Sequence, residues 1–315
     1  MNDRGLFRLL AGDGRPLLVA VALTLLASGG FAIFVAARGE FLPHDVAYLG
    51  MTPQKLCEVN ECRIVHFMIH DRVAFGGALI AIGAVYLWLV AGPLGAGLRW
   101  AWELIAASGA AGFLSFLAYL GYGYLDTWHG VATLAIVPLF LGGLALKRQS
   151  LVEVEGARWF ARPSWLTSVR DRRCVGRTML FAAAIGMFCG GATVMTVGMT
   201  CVFVPEDLAF LGLARADLHA INPRLVPLIA HDRAGFGGAV CCCGVLLAGT
   251  SWRAEFDRAA RQALAIAGAS GFGTALFVHS AIGYTDLLHI APAIVGLCLF
   301  AMGLWLVSFT VLPTP

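Results

Sequence analysis

The chain has 315 residues, of which 59% are hydrophobic and 13% charged, with a mean hydropathy of +0.80. That composition excludes a soluble domain and predicts a polytopic membrane protein, most of whose surface faces lipid or other helices. The formal charge of +3 becomes informative only when it is divided between the two sides of a membrane.

Charge-poor runs of about the 20 residues that cross a bilayer lie near 16–37, 73–92, 101–121, 130–146, 178–202, 234–250, 263–282 and 290–311. The predicted fold is therefore an all-α integral membrane protein with eight transmembrane helices. Arg4 and Arg8 precede the first run, and Val35-Ala36-Ala37 near its end looks cleavable. Its apolar core is too long for a secretion signal, so it is read as a span.

The segment 38–69 that follows is too long for a simple connection. Pro43 and Pro53 punctuate it, Asn60 and Arg63 lie near its end, and Cys57 and Cys62 sit in it as candidates for a disulfide in an oxidising compartment. Short helices folded over the outer face, forming a lid, are expected there. The second span opens on His70-Asp71-Arg72-Val73-Ala74-Phe75-Gly76-Gly77. The third and fourth spans are separated by Gly123-Tyr124, Asp126 and His129.

A basic linker comes next, with Arg158, Arg162, Arg170, Arg172, Arg173 and Arg177. It reads as a topology determinant on anionic headgroups; no groove-reading or aromatic pattern suggests nucleic acid. Beyond it the same signature returns as His231-Asp232-Arg233-Ala234-Gly235-Phe236-Gly237-Gly238, with Gly283-Tyr284, Asp286 and His289 following. Pro43, Asp45 and Leu49-Gly50 find matches in Pro205, Asp207 and Leu211-Gly212, and Asn222 and Arg224 occupy places related to Asn60 and Arg63. Two tandem, parallel four-helix repeats are predicted, 1–148 and 177–315, joined by a cytoplasmic linker at 149–176. The paired glycines within the spans are expected to mark close helix contacts.

Eight spans place 15 Lys and Arg with 8 Asp and Glu on the side of the termini, and 7 with 11 on the other. The excess of basic residues orients both termini to the cytoplasm of a bacterial-type inner or plasma membrane. All eight histidines then fall at the outer face. Histidine is the commonest metal ligand and titrates near neutrality, so this one-sided set is the main functional signal.

The expected site gathers His70, His129, His231, His289, Asp126 and Asp286 as metal ligands, because residues three apart share a helix face. Arg72, Arg233, Asp71, Asp232, Tyr124 and Tyr284 are expected to line a ligand site, the guanidiniums holding an anionic group. The competing structural reading makes Asp71, Asp126, Asp232 and Asp286 helix N-caps. A metal ion or a haem near the outer surface are the cofactors these residue types allow. Six further cysteines, Cys241-Cys242-Cys243 among them, read as apolar packing groups.

The expected partners are the lipid bilayer and a small or lipid-soluble ligand at the outer face, with no nucleic acid and with the protein partner, if there is one, unknown. Two other functions compete with a binding or catalytic site. One is transport of a small solute, disfavoured by the lack of charge in mid-span; the other is a scaffold or assembly factor whose polar groups are purely structural. The residues alone do not separate binding from catalysis.

Overall fold

The computed structural model describes residues 12–115, 117, 124, 127–151 and 171–308. Among these residues it is entirely helical, with twelve helices: α1 (Arg15–Ala37), α2 (Pro43–Leu49), α3 (Pro53–Asn60), α4 (Arg63–Ala91), α5 (Arg99–Ser115), α6 (Thr127–Arg148), α7 (Arg172–Met199), α8 (Pro205–Leu211), α9 (Arg215–Ile221), α10 (Leu225–Arg253), α11 (Arg258–Ile282) and α12 (Leu287–Leu306). Seven of them, α1, α4, α6, α7, α10, α11 and α12, are long and apolar enough to cross a membrane. Helix α5 has 17 residues and covers 101–115 of the expected third span, the rest of which lies mostly outside the described residues.

Helices α4 and α10 occupy the centre. Each has 29 residues and is therefore about 44 Å long, well beyond the roughly 30 Å of a bilayer's hydrocarbon. In their most apolar windows 72% and 78% of residues are buried, against 11–22% in the other five. The two helices begin at Arg63 and Leu225, well before the apolar runs expected from 73 and 234. The added turns carry buried apolar side chains at helical spacing: Ile64, Val65, Phe67 and Met68 in α4, Leu225, Val226, Leu228 and Ile229 in α10. Burial under the lid extends each helix past the edge of its apolar run.

This corrects one expectation. Asp71 and Asp232 cannot be N-caps, because both lie inside helices that start seven or more residues earlier. Asp286 does serve that role, accepting from the His289 backbone N–H at 2.9 Å.

The lid consists of α2, α3, α8 and α9. A proline in the first turn starts α2, α3 and α8, where its fixed φ suits a helix and its missing N–H has no intrahelical partner to lose. Gly50 and Gly212 end α2 and α8 with φ of 65° and 63°, a conformation glycine adopts at low cost. Cys57 and Cys62 are joined by a disulfide that closes the turn after α3. Asn60 donates to the Leu211 carbonyl at 3.1 Å and Asn222 to the Leu49 carbonyl at 2.8 Å, so each half of the lid caps a helix of the other. Arg63 reaches the Phe210 carbonyl and Arg224 the Tyr48 carbonyl across the same boundary.

Around the central pair, α1 and α11 pack on α4, while α7 and α5 pack on α10. The long helix of each half is therefore flanked by a helix from the other half. Two glycines permit it: a methyl group at Gly77 would collide with Thr274 of α11, and one at Gly238 with Ser115 of α5. The adjacent Gly76 and Gly237 face backbone carbonyls of α1 and α7 at distances that leave no room for a side chain. We expect Gly238→Ala to lower stability by about 1–3 kcal/mol, with part recovered when Ser115→Gly is added, as read from thermal unfolding in detergent. Large apolar side chains on the flanking helices, among them Phe31, Phe34, Leu134 and Phe277, point away from the protein. A continuous apolar exterior of this kind suits lipid.

Candidate metal centre

Under the lid, His-Asp-Arg of α4 meets His-Asp-Arg of α10. Arg72 holds Nη1 2.8 Å from Asp45 in an ion pair and donates through Nε to Asp232 at 2.9 Å. Arg233 makes the matching ion pairs, with Nη1 2.7 Å from Asp207 and Nε 3.5 Å from Asp71. Each arginine thus joins a lid aspartate of its own half to the long helix of the other. Asp45, Asp71 and Asp207 are at most 2% exposed and Arg233 is 5% exposed. Charges so far from water persist only when paired and hydrogen-bonded.

The arginines are therefore committed to carboxylates, and neither offers its charge to an anionic ligand as the sequence suggested. With every carboxylate ionised, the four aspartates and two arginines sum to a net charge of −2 before any imidazole takes a proton.

The tyrosines complete the network. Tyr124 donates to Asp45 Oδ1 and Tyr284 to Asp207 Oδ1, both at 2.8 Å. Burial, reinforced by the neighbouring Asp207 carboxylate, pushes the Tyr284 phenol well above its ordinary range, so it remains a donor. Asp45 and Asp207 were visible in the sequence as matched acids but carried no assigned role there.

The histidines divide into two clusters. His231 places Nδ1 3.2 Å from Asp232 Oδ1, and its Nε2 lies 3.2 Å from His129 Nδ1. This pair is satisfied as it stands: His231 donates to the carboxylate, leaving Nε2 to accept from His129 N–H. The other cluster holds His70, His279 and His289, which offer one ring nitrogen each, all within 4.8 Å of one another.

In that second cluster the outer nitrogens are all engaged. His70 Nδ1 donates to Asp71 Oδ1 at 3.0 Å, and His279 Nδ1 donates to the Ala275 carbonyl. His289 Nδ1 is 3.2 Å from the Tyr284 oxygen, whose own hydrogen goes to Asp207. A neutral imidazole that donates from Nδ1 presents a lone pair at Nε2. Yet His70 Nε2 and His279 Nε2 face each other at 2.9 Å. Two lone pairs cannot hydrogen-bond, so a proton or a metal cation is required between them.

The structure brings His70 and His289 together and adds His279, one of the eight outer-face histidines and one to which the sequence assigned no role. His129 and His231 form a separate pair, so the four expected histidines do not make one centre. Asp286 is occupied as a cap, and Asp126 lies outside the described residues. Haem does not suit the main cluster, since no porphyrin passes between two ring nitrogens in hydrogen-bond contact. Comparison with protein-family models, with curated proteins and with solved structures found no match to this chain.

Proposed function

We propose that this chain is a membrane metalloprotein in which His70, His279 and His289 bind one divalent transition-metal ion. The observation that carries the reading is that His70, His279 and His289 each bring a ring nitrogen within 4.8 Å of the others while Nδ1 of each lies against an oxygen. Three nitrogen ligands with a fourth position open describe catalytic zinc sites, and a carboxylate or carbonyl behind each imidazole is the usual means of fixing its tautomer. A dication also cancels the net charge of −2 on the surrounding ion-pair network. Such an ion lowers the pKa of bound water and polarises a substrate oxygen, so the reading extends to metal-assisted chemistry on a small or lipid-borne molecule.

In this reading the chain forms eight spans as two tandem parallel repeats, with both termini cytoplasmic and the metal near the outer surface. The order of long and short helices, repeated in the two halves, supports it, as does the disulfide of the lid, since such bonds persist in oxidising compartments. The test is metal analysis of protein purified from zinc-supplemented cells, with cobalt substitution to report coordination geometry. One equivalent of metal with tetrahedral cobalt bands, lost in His279→Ala and kept in His129→Ala, supports the site. Protein that stays metal-free in micromolar zinc overturns it and leaves a proton shared by His70 and His279.

A further inference from the structure

A cavity of about 560 Å³ opens beside α1, α4, α5, α6 and α10, apart from the three-histidine cluster. One end is polar, formed by Asp45, Arg72, His129, His231 and Asp232; the rest is apolar, running past Leu79 and Ile136 to Tyr86 and Phe140. Asp71 and Tyr86 both line it, and fifteen residues of helix separate them by roughly 22 Å. A slot of that length and volume suits one hydrocarbon chain.

The polar end sets the headgroup. Asp45, Asp71 and Asp232 face the cavity against Arg72 alone, so a carboxylate or phosphate meets repulsion. A cationic head meets the Arg72 guanidinium, and the aspartates already hold donors: Tyr124 on Asp45, Arg72 and His231 on Asp232, His70 on Asp71. An uncharged head carries neither penalty, and its tail finds apolar walls. We propose that this cavity binds a single-chain amphiphile with an uncharged hydroxyl or carbonyl head, placed against His129 and His231. The metal reading is not an input, and the test uses protein stripped of metal.

Hexadecanol carrying a diazirine in its chain is photolysed with the purified protein in detergent, and the labelled residues are mapped by mass spectrometry. Labelling is expected on Leu79, Ile82 and Ile136. Unlabelled hexadecanol should compete at least tenfold better than palmitate or hexadecyltrimethylammonium. Gly112 borders the cavity, and a Cβ there would have only Cys242 Sγ nearby, at 3.9 Å; Gly112→Leu fills the space and should cut labelling about tenfold. Ser28→Leu, on the opposite wall, serves if Gly112→Leu fails to fold. Labelling that is confined to outward side chains such as Leu134 and Phe277 overturns the proposal, as does equal competition by the charged amphiphiles or undiminished labelling of a folded cavity-filling variant.

Discussion

Replacing Arg233 with methionine should cost about 3–5 kcal/mol of stability, the usual penalty for removing one partner of a buried ion pair. The side chain is 5% exposed and lies between Asp71 and Asp207. It also donates to the Val202 carbonyl at 2.8 Å. Methionine fills much of its volume but leaves two carboxylates without their counter-charge and a carbonyl without its donor. Adding Asp207→Asn removes one of the stranded charges and should restore part of the loss. The control is Arg224→Met, at an exposed guanidinium that rests over the Tyr48 ring; surface interactions of this kind contribute less than about 1 kcal/mol. Thermal unfolding of the variants in one detergent gives the comparison. Equal losses at Arg233 and Arg224 would show that the buried network does not hold the halves together.

Asp71→Asn addresses the proposed metal site. The carboxylate accepts from His70 Nδ1, which fixes the tautomer and strengthens the opposite nitrogen as a ligand. Removal of such a supporting group typically lowers metal affinity about 10–100-fold, and that loss is expected here in a competition titration against a chromophoric zinc chelator. Asp232→Asn makes the same chemical change behind His231, whose Nε2 is already engaged by His129. It should leave zinc affinity unchanged. If both variants weaken zinc equally, the effect belongs to the charge of the whole network rather than to the orientation of His70.

Much of this arrangement was legible in the chain. The doubled His-Asp-Arg and Gly-Gly signatures marked the two central helices, and the matched Asn and Arg of the outer segments marked the lid contacts. What was not legible follows from how residues meet. Local pattern finds an apolar run, but the start of α4 and α10 is set by burial of Phe67 and Leu228 beneath other segments, which no run of sequence displays. The aspartates looked like caps because they precede apolar stretches; only the extra helical turns reveal them as interior charges. His279 was given no role because the matching position in the first half of the sequence is Tyr119, so the pairing of motifs did not point to it. A histidine at the end of a long apolar helix with no counterpart was the signal available.

The crossing of α5 onto α10 and of α11 onto α4 bears on what the smallest working unit can be. His70 draws His279 and His289 from the far half, and His231 draws His129 from the near one, so a fragment ending after α6 would complete neither cluster and would leave one flank of its longest helix bare. Only two such fragments associated side by side could supply the missing neighbours. Each imidazole cluster thus exists only when both parts of the polypeptide are present, one drawing three members together and the other two.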